Sequence, residues 1–249
     1  FEAVLDMLAA GRLDVLPLVS HRFPLEQTEA AYAVVGGSEP SLGIVLQYPT
    51  REEKSDEVLR RPVVALPASL AVRGGTTGTA RVGFVGSGNY ATAVLIPAFK
   101  AAGADLESVA SSTGVSGVHA GRKYGFARTT TDTAGLLADA RINTVVITTR
   151  HDSHCRLVCE ALQAGKHVFV EKPLCLTLEE LDRIEQVYGE LQGSAGGAPL
   201  LMVGFNRRFA PQVQRMHSLL AGVGDAKSFV MTVNAGMIPA DHWTQDPEV

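Results

Sequence analysis

Apolar positions along this chain change their spacing repeatedly from about residue 81 onward. Val82, Phe84 and Val85 form a short apolar run, and residues 143–149 form a longer one that is typical of a buried strand. In residues 90–102 the apolar side chains instead recur every three or four positions, which places them on one face of a helix. Strands that alternate with helices in this way indicate a parallel sheet covered by helices.

The same spacing predicts the individual elements. Strands are predicted near residues 82–85, 106–111, 126–129, 143–149, 167–170 and 200–205. Three further helices are predicted, each from a capping residue that precedes an apolar stripe. The first is capped by Thr131 or Asp132, the second by Asp152 or Ser153, and the third by the capping box Thr177-x-x-Glu180. The predicted fold class is α/β, with a doubly wound parallel sheet.

The first 80 residues show a different pattern. In the N-terminal tail it predicts a helix over 1–11, an extended stretch over 13–19, a helix over 24–36 and a strand over 43–47. Residues 51–80 are first charged and then rich in glycine and threonine, as in a linker, and include a strand-like piece at 62–67.

Composition narrows the classes of partner. The net charge of −4 over 249 residues provides no excess of Lys and Arg for nucleic-acid phosphates. No apolar run approaches the ~18 residues of a membrane span, and no signal-peptide pattern is present, so we expect a cytoplasmic protein. Cys155, Cys159 and Cys175 do not have the spacing of a zinc site, so no metal is expected.

A glycine turn follows the first strand of the alternating region. The pattern Gly86-x-Gly88-x-x-Ala91 joins a buried strand to a helix, which aims free N–H groups and the helix dipole at a pyrophosphate. We therefore predict that Gly86, Ser87, Gly88, Asn89 and Tyr90 bind a dinucleotide. A glycine turn in an α/β protein without a cofactor is the alternative.

This turn completes the predicted domain organisation. We predict an α/β tail over 1–50, a linker over 51–80, a dinucleotide-binding Rossmann domain over 81–205 and the start of a truncated second α/β domain over 206–249. The chain begins without Met and stops at Val249, so we expect it to be a piece of a longer protein.

Three polar motifs follow predicted strands and should face the same crevice as the glycine turn, because ligands bind beyond the carboxyl ends of such strands. The predicted cofactor-binding residues in them are Thr148, Thr149, Arg150, His154, Glu171, Lys172, Pro173, Asn206 and Arg207. His151 is expected to be a solvent-exposed loop residue.

These residues resemble the Gfo/Idh/MocA oxidoreductases, the group of glucose–fructose oxidoreductase and inositol dehydrogenase. The resemblance rests on the glycine turn, on Thr149 with His154, on Glu171-Lys172-Pro173 and on the run Gly204–Phe209. It implies NAD(P)-linked hydride transfer with a sugar, cyclitol or related carbonyl substrate, and a cis peptide before Pro173. It also implies a second domain that carries substrate contacts, an acid/base His and often a dimer interface. That His lies beyond Val249, so the substrate half of the site is expected to be incomplete.

Lys172 is the predicted catalytic residue. A partly buried ammonium beside a nicotinamide can hydrogen-bond the reacting oxygen and stabilise developing alkoxide charge. The alternative is a surface lysine paired with Glu171. For His154 two interpretations are open: it contacts the nicotinamide ribose, or it simply lies near the N-terminus of its helix.

The choice of cofactor depends on the end of the second strand. NAD sites usually place Asp or Glu there, whereas this chain has Ser111 followed by Ser112, whose hydroxyls could bond a 2′-phosphate. The cofactor is thus NAD or NADP. The preference for NADP is weak, because no Arg follows directly and Arg122 and Lys123 lie on the next helix.

Residues 1–50 resemble the C-terminal end of a zinc-type medium-chain alcohol dehydrogenase, through Gly11–Asp14, Leu18–Glu26, Ala30–Tyr32 and Ile44–Leu46. The zinc ligands of that family would lie upstream, so the tail implies no catalysis here. Two alternatives to an enzyme of the Gfo/Idh/MocA type stay open: a dinucleotide-binding or sensing module without turnover, and a main activity in the upstream part.

Overall fold

The computed structural model describes residues 1–50, 52–66, 78–193, 197–234, 236–240 and 242–245. These residues form two compact units, Phe1–Arg61 and Pro62–Val249. Residues 74–77 of the glycine-rich stretch lie outside the described ranges. Within those ranges, no helix has the length and apolar character needed to cross a membrane.

The first unit is a small βαβ arrangement with flanking helices. Its elements are α1 (Glu2–Ala9), β1 (Val19–Pro24), α2 (Thr28–Val35), β2 (Gly43–Gln47) and α3 (Asp56–Leu59). β1 and β2 pair in parallel, which requires a crossover connection, and α2 lies within it.

The extended stretch predicted over 13–19 is wrong for most of its length. Leu16–Leu18 form a 3₁₀ turn, with Pro17 in its first positions. The Leu16 N–H donates to Asp14 Oδ1 at 2.9 Å, a local hydrogen bond that favours a turn over a strand.

The second unit contains a seven-stranded sheet. Its strands are β3 (Val63–Ala65), β4 (Arg81–Val85), β5 (Asp105–Ala110), β6 (Arg128–Thr130), β7 (Thr144–Ile147), β8 (His167–Val170) and β9 (Leu201–Val203). The order across the sheet is β3-β6-β5-β4-β7-β8-β9. All neighbours from β6 to β9 pair in parallel, and β3 is antiparallel to β6. The chain runs outward from β4 on one side and returns to its other side at β7, so the predicted doubly wound sheet is confirmed.

In this unit a helix follows each strand from β4 to β9. These helices are α4 (Ile96–Ala101), α5 (Val115–Tyr124), α6 (Thr133–Ala138), α7 (His154–Gln163), α8 (Leu178–Gln192) and α9 (Pro211–Leu220). A π-helical turn, Ala91–Leu95, precedes α4 within the helix predicted over 90–102. Pro97 lies at the start of α4 and has no N–H to donate to the preceding turn, which accounts for the altered ladder.

Two apolar clusters cover the two faces of the sheet. Alternating residues of β7 divide between them: Val145 and Ile147 pack with α7 and α8, whereas Val146 packs with β4, α4 and α5. On the second face, Phe84 makes edge-to-face contacts with Phe99 and Phe126, with ring centroids 5.6 and 5.8 Å apart. Both faces of the central strands are therefore buried, as the apolar runs predict.

Part of the predicted linker belongs to this sheet. Val63–Ala65 form the edge strand β3, and the Leu66 N–H that follows donates to Ala127 O at 3.0 Å. Leu66 itself is only 4% exposed and packs in the cluster around Phe84. The other domain boundaries stay predictions. After α9, residues 223–234 form no strand, and their side chains are exposed.

The predicted caps have mixed outcomes. Asp132, not Thr131, caps α6, since its Oδ1 accepts from the Gly135 N–H at 2.8 Å. Thr177 caps α8 by accepting from the Glu180 N–H at 3.2 Å, as predicted. For α7 the predicted position is confirmed, because Ser153 is the N-cap residue, but its side chain makes no capping bond; Asp152 lies in a 3₁₀ turn. Ser153 Oγ instead donates to Arg150 O at 2.8 Å.

Candidate active site

The glycine turn begins with a position that only glycine fits. Gly86 has φ of +104°, and an added Cβ would lie 2.8 Å from the carbonyl carbon and oxygen of Thr148. Its N–H donates to Ala110 O at 2.9 Å, so the residue is held between the ends of β5 and β7. A side chain there would require both an unfavourable backbone conformation and a displacement of the neighbouring loop.

Gly88 has a different environment. No atom lies within 4 Å of an added Cβ at this position. The helix that follows starts at Asn89, and the first N–H groups of a helix have no acceptor within it. Open space in front of unpaired N–H groups and a positive helix end is the environment that a pyrophosphate requires. The residues present therefore fit a dinucleotide.

Neighbouring side chains brace the turn. Thr148 Oγ1 lies 3.1 Å from Gly86 O and donates to it. Thr148, which the sequence predicts to bind the cofactor, thus supports the glycine turn. Ser87 Oγ donates to Ser116 Oγ at 2.9 Å, which connects the turn to α5. Ala91, the small third position of the motif, is 1% exposed and lies in the core, as predicted.

The Glu171-Lys172-Pro173 motif lies at the end of β8, beside the end of β7. The Glu171 N–H donates to Ile147 O at 3.0 Å, which places the two strand ends side by side. The Lys172 side chain is exposed, and its ammonium makes no hydrogen bond or ion pair with any residue that the structure describes. The alternative of a lysine paired with Glu171 is thus not the arrangement observed. The Lys172–Pro173 peptide is cis, as expected.

Glu171 is partly buried against the next strand end. An added Cβ at Gly204 would lie 2.5 Å from Glu171 Oε1, so glycine there provides the space for the carboxyl group. Within the described residues this buried oxygen has no hydrogen-bond partner. Burial raises the pKa of Glu171, and the Lys172 N–H and the charges of Lys172 and His154 partly oppose that shift.

Asn206 and Tyr90 meet above the strand ends. Asn206 Nδ2 donates to Tyr90 Oη at 2.9 Å. Because Tyr90 follows β4 and Asn206 follows β9, this contact crosses the end of the sheet where β7 and β8 terminate. Arg207 is exposed in the same 3₁₀ turn, and Arg150 is exposed after β7. The structure thus brings the glycine turn and all three motifs to one edge of the sheet.

Comparisons with known proteins agree with this geometry. Residues 80–193 match the sequence model of the Gfo/Idh/MocA oxidoreductase family, described as an NAD-binding Rossmann fold. This segment is similar to the NAD-binding domain of that family. It carries the glycine turn, the Thr148–His154 stretch and the Glu171-Lys172-Pro173 motif, so the predicted Rossmann fold and its NAD(P)-binding character are confirmed.

Curated relatives include several inositol dehydrogenases. Inositol 2-dehydrogenase 2 of Saccharopolyspora erythraea is 35% identical over 117 residues, which cover 46% of this chain and 33% of the relative. The scyllo-inositol 2-dehydrogenase (NAD(+)) of Bacillus subtilis is 31% identical over 140 residues, covering 56% and 37%. The chain therefore spans only about a third of the length of these relatives.

A solved structure shows the same fold. The 3-ketoreductase KijD10 of Actinomadura kijaniata, in complex with NADP and TDP-benzene, superposes with a TM-score of 0.51. It is 25% identical, and the match covers 57% of this chain and 43% of that protein. None of these comparisons addresses residues 1–50 as an alcohol dehydrogenase tail.

Within the Gfo/Idh/MocA segment, the strand end that faces the adenosine ribose in Rossmann folds carries no carboxylate at residues 111–113. Ser111 Oγ accepts from the Gly117 N–H at 3.1 Å and so holds the start of α5, while Ser112 is exposed. Arg122 is seven residues beyond Val115, the first residue of α5, which corresponds to about 10 Å along the helix. The backbone of Arg122 therefore lies about two helical turns beyond the start of α5, and that of Lys123 one residue further.

His154 is buried within the same segment, with 0% exposure. Nδ1 lies 2.6 Å from Pro173 O, and Nε2 lies 3.2 Å from Thr149 O. With both nitrogens against backbone carbonyls, the ring presents no polar atom to a ribose. Of the two interpretations from the sequence, the structure favours a residue at the helix N-terminus.

The expectation that His151 lies in a solvent-exposed loop is wrong. Its ring is partly buried and packs edge-on to that of His154, with centroids 5.7 Å apart. Burial lowers the pKa of His151, as do the charges of His154 and Lys172, and Asp152 opposes the shift. The spacing His151-x-x-His154 places two side chains on one face of a helical turn, and it is the signal from which this contact could have been predicted.

No group of three or more His, Cys, Asp or Glu side chains that could hold a metal occurs among the described residues.

Proposed function

We propose that this chain is the cofactor-binding part of an NAD(P)-dependent oxidoreductase that transfers a hydride to or from a sugar, cyclitol or related carbonyl compound. The observation that carries the proposal is the position of Lys172, on the same edge of the sheet as the open turn at Gly88. The inositol dehydrogenases among the relatives support the substrate class.

In this mechanism each group has a separate task. The N–H groups of the turn at Gly88 and Asn89 bind the pyrophosphate. When bound, the nicotinamide supplies or accepts the hydride. The exposed Lys172 ammonium donates a hydrogen bond to the reacting substrate oxygen and stabilises the negative charge that develops there. Because no protein group in the described residues already binds this ammonium, it is available for the substrate.

Finer assignments concern the cofactor and the rest of the protein. We propose NADP as the preferred cofactor, because the exposed Ser112 hydroxyl can bond a 2′-phosphate and no carboxylate at residues 111–113 repels it. We further propose a cytoplasmic protein whose second domain forms a homo-oligomer. The parallel βαβ arrangement of the first unit supports its assignment as a zinc-type alcohol dehydrogenase tail.

The first test changes the glycine turn. In Gly88→Asp the new carboxylate occupies the open space beside the bound pyrophosphate, and like charges in contact cost several kcal/mol. We expect Kd for NADP(H) and NAD(H), measured by calorimetry with the full-length protein, to rise at least about 100-fold. The matched control is Gly189→Asp on α8, where an added Cβ also has no neighbour within 4 Å. Equal affinity in parent and Gly88→Asp would reject the site.

The second test separates an enzyme from a sensing module. With a panel of cyclitols and sugars, Lys172→Ala should lower kcat by about 10²- to 10⁴-fold while Kd for the cofactor stays near the parent value. Lys100→Ala on α4 is the control, since Lys100 donates to Tyr124 O and lies outside the site. A parent protein that binds the cofactor tightly but turns over no substrate would favour the sensing module.

A further inference from the structure

We propose that His154 is a positioning residue that fixes the backbone of the Lys172-Pro173 loop, and thereby the ammonium of Lys172, through its bond to the Pro173 carbonyl. The inference rests on the proposed function, because it assigns His154 a role in presenting the residue that contacts the substrate.

The geometry places His154 between the two loops of the site. It is the first residue of α7 and is completely buried. Nδ1 contacts the carbonyl of Pro173 in the loop after β8, and Nε2 contacts the carbonyl of Thr149 in the loop after β7. This imidazole therefore connects the two loops whose strands are neighbours in the sheet.

The two contacts are not equivalent. A carbonyl oxygen can only accept, so a ring nitrogen of His154 bonds it only where that nitrogen carries a hydrogen. The contact from Nδ1 to Pro173 O is the shorter at 2.6 Å, whereas Nε2 lies 3.2 Å from Thr149 O, so the Pro173 bond is the stronger of the two. No backbone N–H in the described residues donates to the Pro173 carbonyl, so its bond to His154 has no substitute.

This bond matters because Lys172 lacks another anchor near its head group. Its side chain is exposed and has no hydrogen-bond partner within the described part of the protein. The position of the ammonium then depends on where the backbone holds its Cα. A displacement of about 1 Å at a reacting group can lower turnover by about 10²-fold.

Two amide variants distinguish the contacts. The amide nitrogen of Asn overlays Nδ1 of histidine, and that of Gln overlays Nε2. His154→Asn therefore keeps the donor to Pro173, and His154→Gln keeps only the contact to Thr149. We expect His154→Gln to lower kcat of the full-length protein by about 10²-fold and His154→Asn to retain most of it. Kd for NADP(H) should change little in either variant.

Hydrogen exchange gives a readout that does not need turnover. In the full-length protein, amides of residues 171–177 should exchange faster in His154→Gln than in His154→Asn or the parent. If this order holds but the parent has no activity, the proposed function fails and the positioning of the loop stands. Equal exchange in both variants, or equal kcat at matched melting temperatures, would overturn the role of the Pro173 bond.

Discussion

The two glycines of the nucleotide turn illustrate how one residue type serves two purposes. Gly86 is required by the protein itself, because of its φ of +104° and its close approach to the Thr148 backbone. Gly88 is surrounded by open space, so no neighbouring protein atom excludes a side chain there. A bound ligand would explain why this position has none. The motif shows both positions, but it does not distinguish their roles.

Glu171 is the residue whose environment predicts a pH dependence of stability. Burial raises the pKa of its carboxyl group in the folded protein above the ordinary 4.5. Between these two pKa values the folded state binds more protons than the unfolded state, so stability falls as pH rises. The stabilising effect is complete below pH about 4.5 and is lost as pH passes the folded pKa.

We expect Glu171→Gln to remove this dependence. The melting temperature of the parent should fall relative to that of the variant as pH rises through the folded pKa, as measured by calorimetry from pH 4 to 8. Glu179→Gln is the control, because Glu179 affects the pH dependence of stability in the opposite direction. The N–H of Glu179 and the Thr177 hydroxyl lower the pKa of exposed Glu179, so its stabilising effect is lost as pH falls. Parallel curves for the parent and Glu171→Gln would contradict the assignment.

Among the elements, β3 shows how a weak local signal becomes a defined strand. Val63 and Val64 are 37% and 48% exposed, and the segment is only three residues long. It is held by its pairing with β6 and by Leu66, whose Cδ1 would lie 2.4 Å from an added Cβ at Gly121. A glycine in α5 thus allows the helix to approach Leu66 closely.

This packing indicates that Leu66, which lies in the predicted linker, contributes to the core. Leu66→Ala should destabilise the protein by about 2–5 kcal/mol, the cost of truncating a buried leucine. Val64→Ala is the control, because Val64 is 48% exposed and surface changes usually stay within about 0.5 kcal/mol. Denaturant unfolding of both variants measures the difference. A loss for Leu66→Ala as small as that of Val64→Ala would show that this segment is not part of the folded unit.

At the scale of the whole molecule, the two units differ in how much they bury. In the first unit, Ala31 is the single hydrophobic residue buried among residues 1–50, 52–58, 60 and 61. Phe1, Tyr32 and Leu42 are among its many exposed apolar side chains. The second unit has two extensive clusters on both faces of its sheet. So small a core supplies little stability, even where the backbone forms regular elements.

We therefore expect the first unit to open far more easily than the second. In hydrogen exchange of the 249-residue protein, amides of α1 and α2 should exchange at least about tenfold faster than those of β4 and β7. Comparison within one sample provides the control, since all amides share the same conditions. Equal protection in the two sets would show that the first unit is stabilised by contacts beyond its own core.

Local patterns are sufficient to predict much of this fold. Alternating runs predict the parallel sheet, Gly86-x-Gly88 the strand–turn–helix, and Thr177-x-x-Glu180 the start of α8. Each depends on residues close together in the sequence, so its signal is contained in a short segment. The family resemblance of the Lys172 motif extends these patterns to a candidate site.

Only the tertiary structure decided the contacts between distant segments. It paired residues 63–65 with β6, placed His154 between the carbonyls of Thr149 and Pro173, and brought His151 against that ring. It also separated Gly86, pressed against the Thr148 loop, from Gly88, which faces open space. The sequence by itself determined which strands, turns and chemical groups are present. Which of these come into contact depends on the order of the strands in the sheet and on how closely the loops pack. Short-range spacing in the sequence carries no information on either.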